Sequence, residues 1–331
     1  MWFSDLTGFY EKQGSIYNNL IFKDAVLKSN INGREFYCGT LETPTLKELR
    51  DRVVKSGAKK GKLKLEAVQA DVKALHLDEK NENALFQVAS QFNLLEMVNS
   101  TTTPEEGVDI YEYDHTQGPI CAICAGAGII YRNYFVPLDG QIGQSSTKQI
   151  DCLAKVGEAL GNDNSALWRM RNGYALLKEE GIYAINRKLD GMSEDEVDKI
   201  RELLQIGLMW DTQVTLYGCT HRVSQAYCSA LPISYVGFVT EIWKPFASLV
   251  LEASYEATIC AGILNGDDRV YLTLVGGGVF GNELEWIISA IERACLKYTD
   301  YDLDVKIVNY RAISGEVFAL VDRFDDKRGS E

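Results

Sequence analysis

The stretch RVYLTLVGGGVFGNELEWIISAIERACLK, Arg269 to Lys297, puts a strand, a glycine turn and a helix in immediate succession. Val270, Leu272 and Leu274 alternate with Tyr271, Thr273 and Val275, the pattern of a mostly buried strand. Gly276, Gly277 and Gly278 then remove every Cβ, so backbone N–H groups can close on an anion. Asn282 offers a cap, and Trp286, Ile287, Ala290, Ile291 and Ala294 recur at helical spacing. An anion in this loop would lie near a helix N-terminus, where unpaired N–H groups and the helix dipole both favour negative charge.

The spacing Gly276-x-Gly278-x-x-Gly281 also satisfies the dinucleotide-binding fingerprint, which raises an NAD-dependent oxidoreductase as an alternative. That fingerprint normally opens a fold with more strands to come, whereas one clear strand, Leu303 to Tyr310, follows here. The acidic residue expected about 20 positions after the glycines is also missing, since the strand ends in Asn309, Tyr310 and Arg311. The loop therefore reads as a phosphate cradle of another fold.

Upstream, Pro245 opens a long helix in which Phe246, Leu249, Val250, Ala253, Ala257, Ile259 and Ile263 cover most of the circumference, as in a helix buried against a sheet. Glu252 and Glu256 read as its solvent-facing edge. Ser193 to Glu196 is a capping box, and helices are expected over Ile150 to Leu160 and from Ser165 through Tyr174 to Leu177. Ala84 to Val98 is an apolar run broken by Gln87, Ser90, Gln91, Asn93 and Glu96, polar groups emerging from a buried strand. The next polar segment crowds Asp109, Glu112, Asp114, His115, Thr116 and Gln117 together before an expected Gly118-Pro119 turn.

The chain has 331 residues, 46% of them hydrophobic, enough for a substantial core. A net charge of −13 argues against nucleic acid or an anionic membrane as partner, because both need a basic footprint. No signal peptide or membrane span is read, and a cytoplasmic setting is expected. The eight cysteines read as reduced core residues, and three histidines give no metal centre.

The order long helix, strand, GGGVFGN loop, helix, final strand resembles the C-terminal half of a macrodomain, whose glycine loop wraps the pyrophosphate of ADP-ribose. Gln91-Phe92-Asn93-Leu94-Leu95-Glu96 and Asp114-x-Thr116-Gln117-Gly118-Pro119 resemble a divergent macrodomain group that includes a bacterial effector removing ADP-ribose from ubiquitin. The Asn-Ala-Ala-Asn ribose loop of ordinary macrodomains and the paired glutamates of poly(ADP-ribose) glycohydrolases are both absent. The resemblance implies a three-layer α/β fold, a mixed sheet flanked by helices. Residues 84–331 would form the ADP-ribose-binding domain, with a helical insertion at about 147–210, and residues 1–83 a mostly helical extension.

It also implies a hydrolase acting on an ADP-ribosylated protein, arginine-linked modification and ubiquitin among the candidates, without a cofactor. A non-catalytic ADP-ribose-binding module is the alternative. Ligand contacts would come from Gln91, Phe92, Asn93, Thr116, Gln117 and Gly118, and from Gly276, Gly277, Gly278, Val279, Phe280, Gly281 and Asn282. The catalytic carboxylate is sought first at Asp114, then at Glu106, Asp109 and Glu96. Asp114 has a second reading, because an aspartate two residues before Thr116 also caps backbone N–H groups.

Overall fold

The computed structural model describes residues 1–12 and 14–329, so residues 330 and 331 of the second expected domain lie outside it. A seven-stranded mixed sheet is built from β1 (Thr40–Glu42), β2 (Lys64–Gln69), β3 (Leu85–Ala89), β4 (Gly207–Gln213), β5 (Arg222–Cys228), β6 (Arg269–Leu272) and β7 (Asp304–Asn309). Their spatial order is β1-β4-β5-β3-β6-β7-β2. The run from β5 through β3, β6 and β7 to β2 is parallel, while β4 is antiparallel to both β1 and β5. This is the mixed sheet flanked by helices, in three layers, that the sequence leads one to expect.

Alternation along β3 and β6 separates the layers. Gln87 reaches Thr258 on the helix Lys244–Leu264, and Gly262 of that helix packs on Val270. On the opposite face Phe86 stacks with Tyr271 and with His76 of the short helix Val72–Leu77. The helical run Thr240–Leu264 is long and apolar enough to cross a membrane, yet 78% of its apolar window is buried inside the protein, so it is a core helix.

Glu252 and Glu256 do not form a solvent edge. The Glu256 side chain is fully buried and is bound by Arg50, Arg293 and Lys297, while Glu252 pairs with Arg201. The cause is the packing of three helices, Leu46–Ser56, Glu194–Arg201 and Leu284–Leu296, on Lys244–Leu264, which brings Arg50, Arg201 and Arg293 against it.

The first 83 residues are not a mostly helical extension, for they supply both edge strands of the main sheet, β1 and β2, and a separate three-stranded antiparallel sheet. Within 147–210 the expected helix from Ser165 to Leu177 is a hairpin, Trp168–Arg171 with Tyr174–Leu177, because Asn172 and Gly173 both take positive φ and reverse the chain. The Ser193 capping box forms as expected.

Candidate functional site

β6 pairs with β3 over only two residues, Leu85 and Phe86, and the two strands then diverge toward their carboxyl ends. In open parallel sheets such a crevice is where ligands bind. Side-chain amides satisfy the backbone groups this divergence frees. Ala89 N–H donates to Gln117 Oε1 at 2.8 Å, Gln117 Nε2 donates to Gln87 O at 3.0 Å, and Thr273 N–H donates to Gln87 Oε1 at 3.2 Å.

Two clefts meet at this point and share His115, Gln117, Thr273 and Leu274. The larger, about 710 Å³, runs along Asp71 and Lys73 to Tyr310 and Arg311 beyond β7. The smaller, about 480 Å³, lies between the glycine loop and the segments around Gln91 and Asp114. Its aromatic wall is Tyr174, Tyr235 and Phe280, with ring centroids 5.1 to 5.8 Å apart.

In the glycine loop, Gly276 has φ 79° and its absent Cβ leaves room for Ala230, whose own Cβ would be 2.4 Å away. The loop is fastened by Asn282 N–H donating to Gly276 O, Gly281 N–H to Gly278 O, and Ser234 N–H to Phe280 O. Among the described residues, the N–H groups of Gly278, Val279 and Phe280 donate to no protein acceptor. Gly277 and Gly278 are exposed, and a Cβ on Gly278 would meet nothing within 4 Å. Asn282 is not the helix cap. The helix begins at Leu284 after Glu283, and buried Asn282 turns inward to donate to Leu231 O at 2.9 Å, so it braces the loop.

Of the four carboxylate candidates the fold brings two to the smaller cleft, Asp114 and Glu96. Half-buried Asp114 accepts from Thr116 N–H at 2.9 Å, the capping geometry, and still lines the cleft. Glu96 lies on the floor with its side chain 1% exposed, and both oxygens accept from Arg132 Nη2 at 3.2 Å. Burial outweighs the Arg132 charge and pushes its carboxyl up to about 7.

The other two point elsewhere. Glu106 is exposed and closes a capping box on Thr103. Asp109 is buried near the N-terminal helix Trp2–Thr7, its backbone N–H on Glu11, with one carboxylate oxygen unpartnered. Desolvation, with Glu112 adding to it, raises the Asp109 carboxyl.

Gln91 and Thr116 line the cleft, but Gln91 is occupied with Met97, accepting from its N–H at 2.8 Å and donating to its carbonyl at 3.2 Å. Phe92 turns into the hydrophobic core. Asn93 is fully buried and holds Leu95 N–H and Gln149, because Leu94 at φ 63° reverses the chain between them. Gly118 and Pro119 form the first turn of the helix Gln117–Cys124, not a loop. A Cβ on Gly118 would fall 2.0 Å from Ala89 O, so glycine lets this helix end sit on the strand end. Cys121 and Cys124 are buried on that helix with their thiols pushed up by burial, and no metal-binding group of His, Cys, Asp or Glu occurs among the described residues.

The residues sequence reasoning missed are Tyr174, Tyr235 and Arg132. Tyr174 follows an Asn-Gly pair, the strongest short hairpin signal, and that pair would have brought it to the cleft.

No protein-family model matches the chain, and no curated protein does. Among solved structures it is similar to the poly(ADP-ribose) glycohydrolase of Deinococcus radiodurans in complex with ADP-ribose, at 11% identity and TM-score 0.47, over 87% of this chain and 94% of that one. It is also similar to the poly(ADP-ribose) glycohydrolase of Thermomonospora curvata bound to the inhibitor ADP-HPD, at 12% identity and TM-score 0.42, over 93% of this chain and 94% of that one. These are likenesses of overall fold.

Proposed function

We propose that the protein is a hydrolase that removes ADP-ribose from a modified protein. The observation that carries this reading is the meeting of two clefts where β3 and β6 part, with unpartnered loop amides and two carboxyl groups around the smaller one. The larger cleft, with exposed Tyr310 at its lip, suits an adenosine. The Gly278, Val279 and Phe280 N–H groups suit a diphosphate, and the space beside Asp114 and Glu96 suits the distal ribose.

Breaking the bond at the anomeric carbon passes through an oxocarbenium-like state that a nearby negative charge stabilises. Asp114, reachable from solvent at the lip, supplies that charge and orients water. Glu96, kept protonated into the neutral range by burial, is the donor to the leaving group. Arginine-linked substrates, ubiquitin among them, are the first to assay, since a guanidine leaves only when protonated and carboxylates suit holding it.

The test is release of ADP-ribose from arginine-, glutamate- and serine-linked proteins, together with calorimetry on free ADP-ribose. Asp114→Ala should keep ADP-ribose binding and lose at least about a hundredfold in turnover, the lower range for acid–base and charge assistance. Equal loss of binding and rate would leave Asp114 only its bond to Thr116. A wild-type protein that binds ADP-ribose but releases it from none of the three linkages is a binding module, and the hydrolase reading fails.

A further inference from the structure

Arg132 is fully buried, and each of its three guanidinium nitrogens has an acceptor. Nε donates to Leu94 O at 2.9 Å, Nη1 to the Tyr227 hydroxyl, and Nη2 to both oxygens of Glu96 at 3.2 Å. The guanidinium carbon lies 3.7 Å from the Tyr227 ring centroid. The Tyr227 hydroxyl donates a hydrogen bond to Gln225 Oε1, and Gln225 Nε2 donates to Cys121 O at 3.0 Å, so the arginine is locked from behind. Desolvating an arginine is costly, and apolar side chains of like volume commonly replace buried ion pairs without loss of stability. This charge lies one side chain from the cleft, against Glu96 on its floor.

Resting on the hydrolase reading above, we propose that Arg132 is the positioning residue for Glu96, holding its carboxyl against the cleft floor and balancing its proton affinity. The groups facing Glu96 are few. Arg132 approaches from the segment after Gly126–Ile130, Tyr111 takes the Glu96 N–H on its hydroxyl at 2.8 Å, Tyr227 comes from β5 and Cys121 from the helix Gln117–Cys124. Arg132 is the only cation among them, so removing its charge leaves burial opposed only by the Tyr111 hydrogen bond and raises the Glu96 carboxyl further. Because Glu96 acts as the proton donor, the alkaline limb of kcat/KM then moves to higher pH.

The experiment compares Arg132→Met and Arg132→Lys with the wild type. For Arg132→Met the alkaline limb should rise by about one pH unit or more, and kcat should fall at least about tenfold, with ADP-ribose affinity within about twofold of wild type. Arg132→Lys keeps the charge but not the two-oxygen grip, so its limb should stay in place while kcat falls. Should the methionine variant fail to fold, Arg132→Gln removes the same charge and keeps a hydrogen bond. A neutral variant whose pH profile superimposes on the wild type overturns the proposal, and so does a lysine variant with wild-type kcat. Infrared titration of the Glu96 carboxyl in ligand-free protein, identified by its loss in Glu96→Gln, separates this idea from the hydrolase reading. A carboxyl that titrates alike with and without Arg132 sinks the pairing, whereas a shifted carboxyl in a protein without turnover sinks only the hydrolysis.

Discussion

Gly278→Val tests the glycine loop most cleanly, because the structure separates its ligand role from its folding role. A Cβ at Gly278 meets no atom within 4 Å and the residue carries no left-handed φ, so the variant should keep the wild-type melting temperature to within a few degrees. Its branched side chain would stand beside Val279 and Phe280, which line the cleft and whose N–H groups, like that of Gly278, have no protein acceptor among the described residues. Two hydrogen bonds to a charged phosphate, at roughly 1.5 to 3 kcal/mol each, sum to about 3 to 6 kcal/mol. At about 1.4 kcal/mol per tenfold, ADP-ribose affinity should fall by at least a hundredfold. Calorimetry and a thermal melt on one preparation decide it. Gly276→Ala is the contrast: φ 79° and a Cβ 2.4 Å from that of Ala230 make it lose stability and binding together. A Gly278→Val protein that melts and binds like wild type would refute the cradle.

Glu96 makes stability depend on pH in an unusual sense. Its folded-state carboxyl lies at about 7, above the ordinary 4.5, so the native state binds the extra proton between those values and stability falls as pH rises from about 4.5 to about 7, where the loss is complete. The full span is worth about 3 kcal/mol by linkage, and Glu96→Gln should flatten that part of the melting-temperature profile, about pH 5 to 7. Glu256→Gln strips the anion from Arg50, Arg293 and Lys297 at a fully buried position and should destabilise by about 3 to 5 kcal/mol in urea unfolding, with ADP-ribose binding retained at temperatures where the variant is folded.

The glycine loop was legible because its chemistry is local: a strand, missing side chains and a helix lie consecutively in the chain. Asp114 and Thr116 were legible as cleft residues for a similar reason, since they lead into a helix docked on the end of β3. The partner choices were not. Gln117 resembles a ligand-binding amide, yet β6 stops short and Gln117 serves Ala89 and Gln87 instead. Phe92 and Asn93 lie in a polar-studded run, but the positive φ of Leu94 folds that run on itself and turns both side chains inward. Glu106 and Asp109 share the acidic segment with Asp114, and a capping box and the N-terminal helix draw them off. Arg132 could not be singled out, because its meaning arises from Glu96 and Tyr227, which come from other parts of the chain.

Both borders of the main sheet come from the beginning of the chain, and this governs the order of assembly. Lys64 of β2 pairs with Asp304 of β7, and Leu41 of β1 with Met209 of β4. β2 therefore has no neighbouring strand until β7 has been made, and β1 has none until β4 has been made. The crevice between β3 and β6 is likewise complete only when the glycine loop has emerged. Removing the first 83 residues would therefore not trim an appendage but would expose two hydrogen-bonding edges, and aggregation of that shortened chain is the outcome the topology dictates.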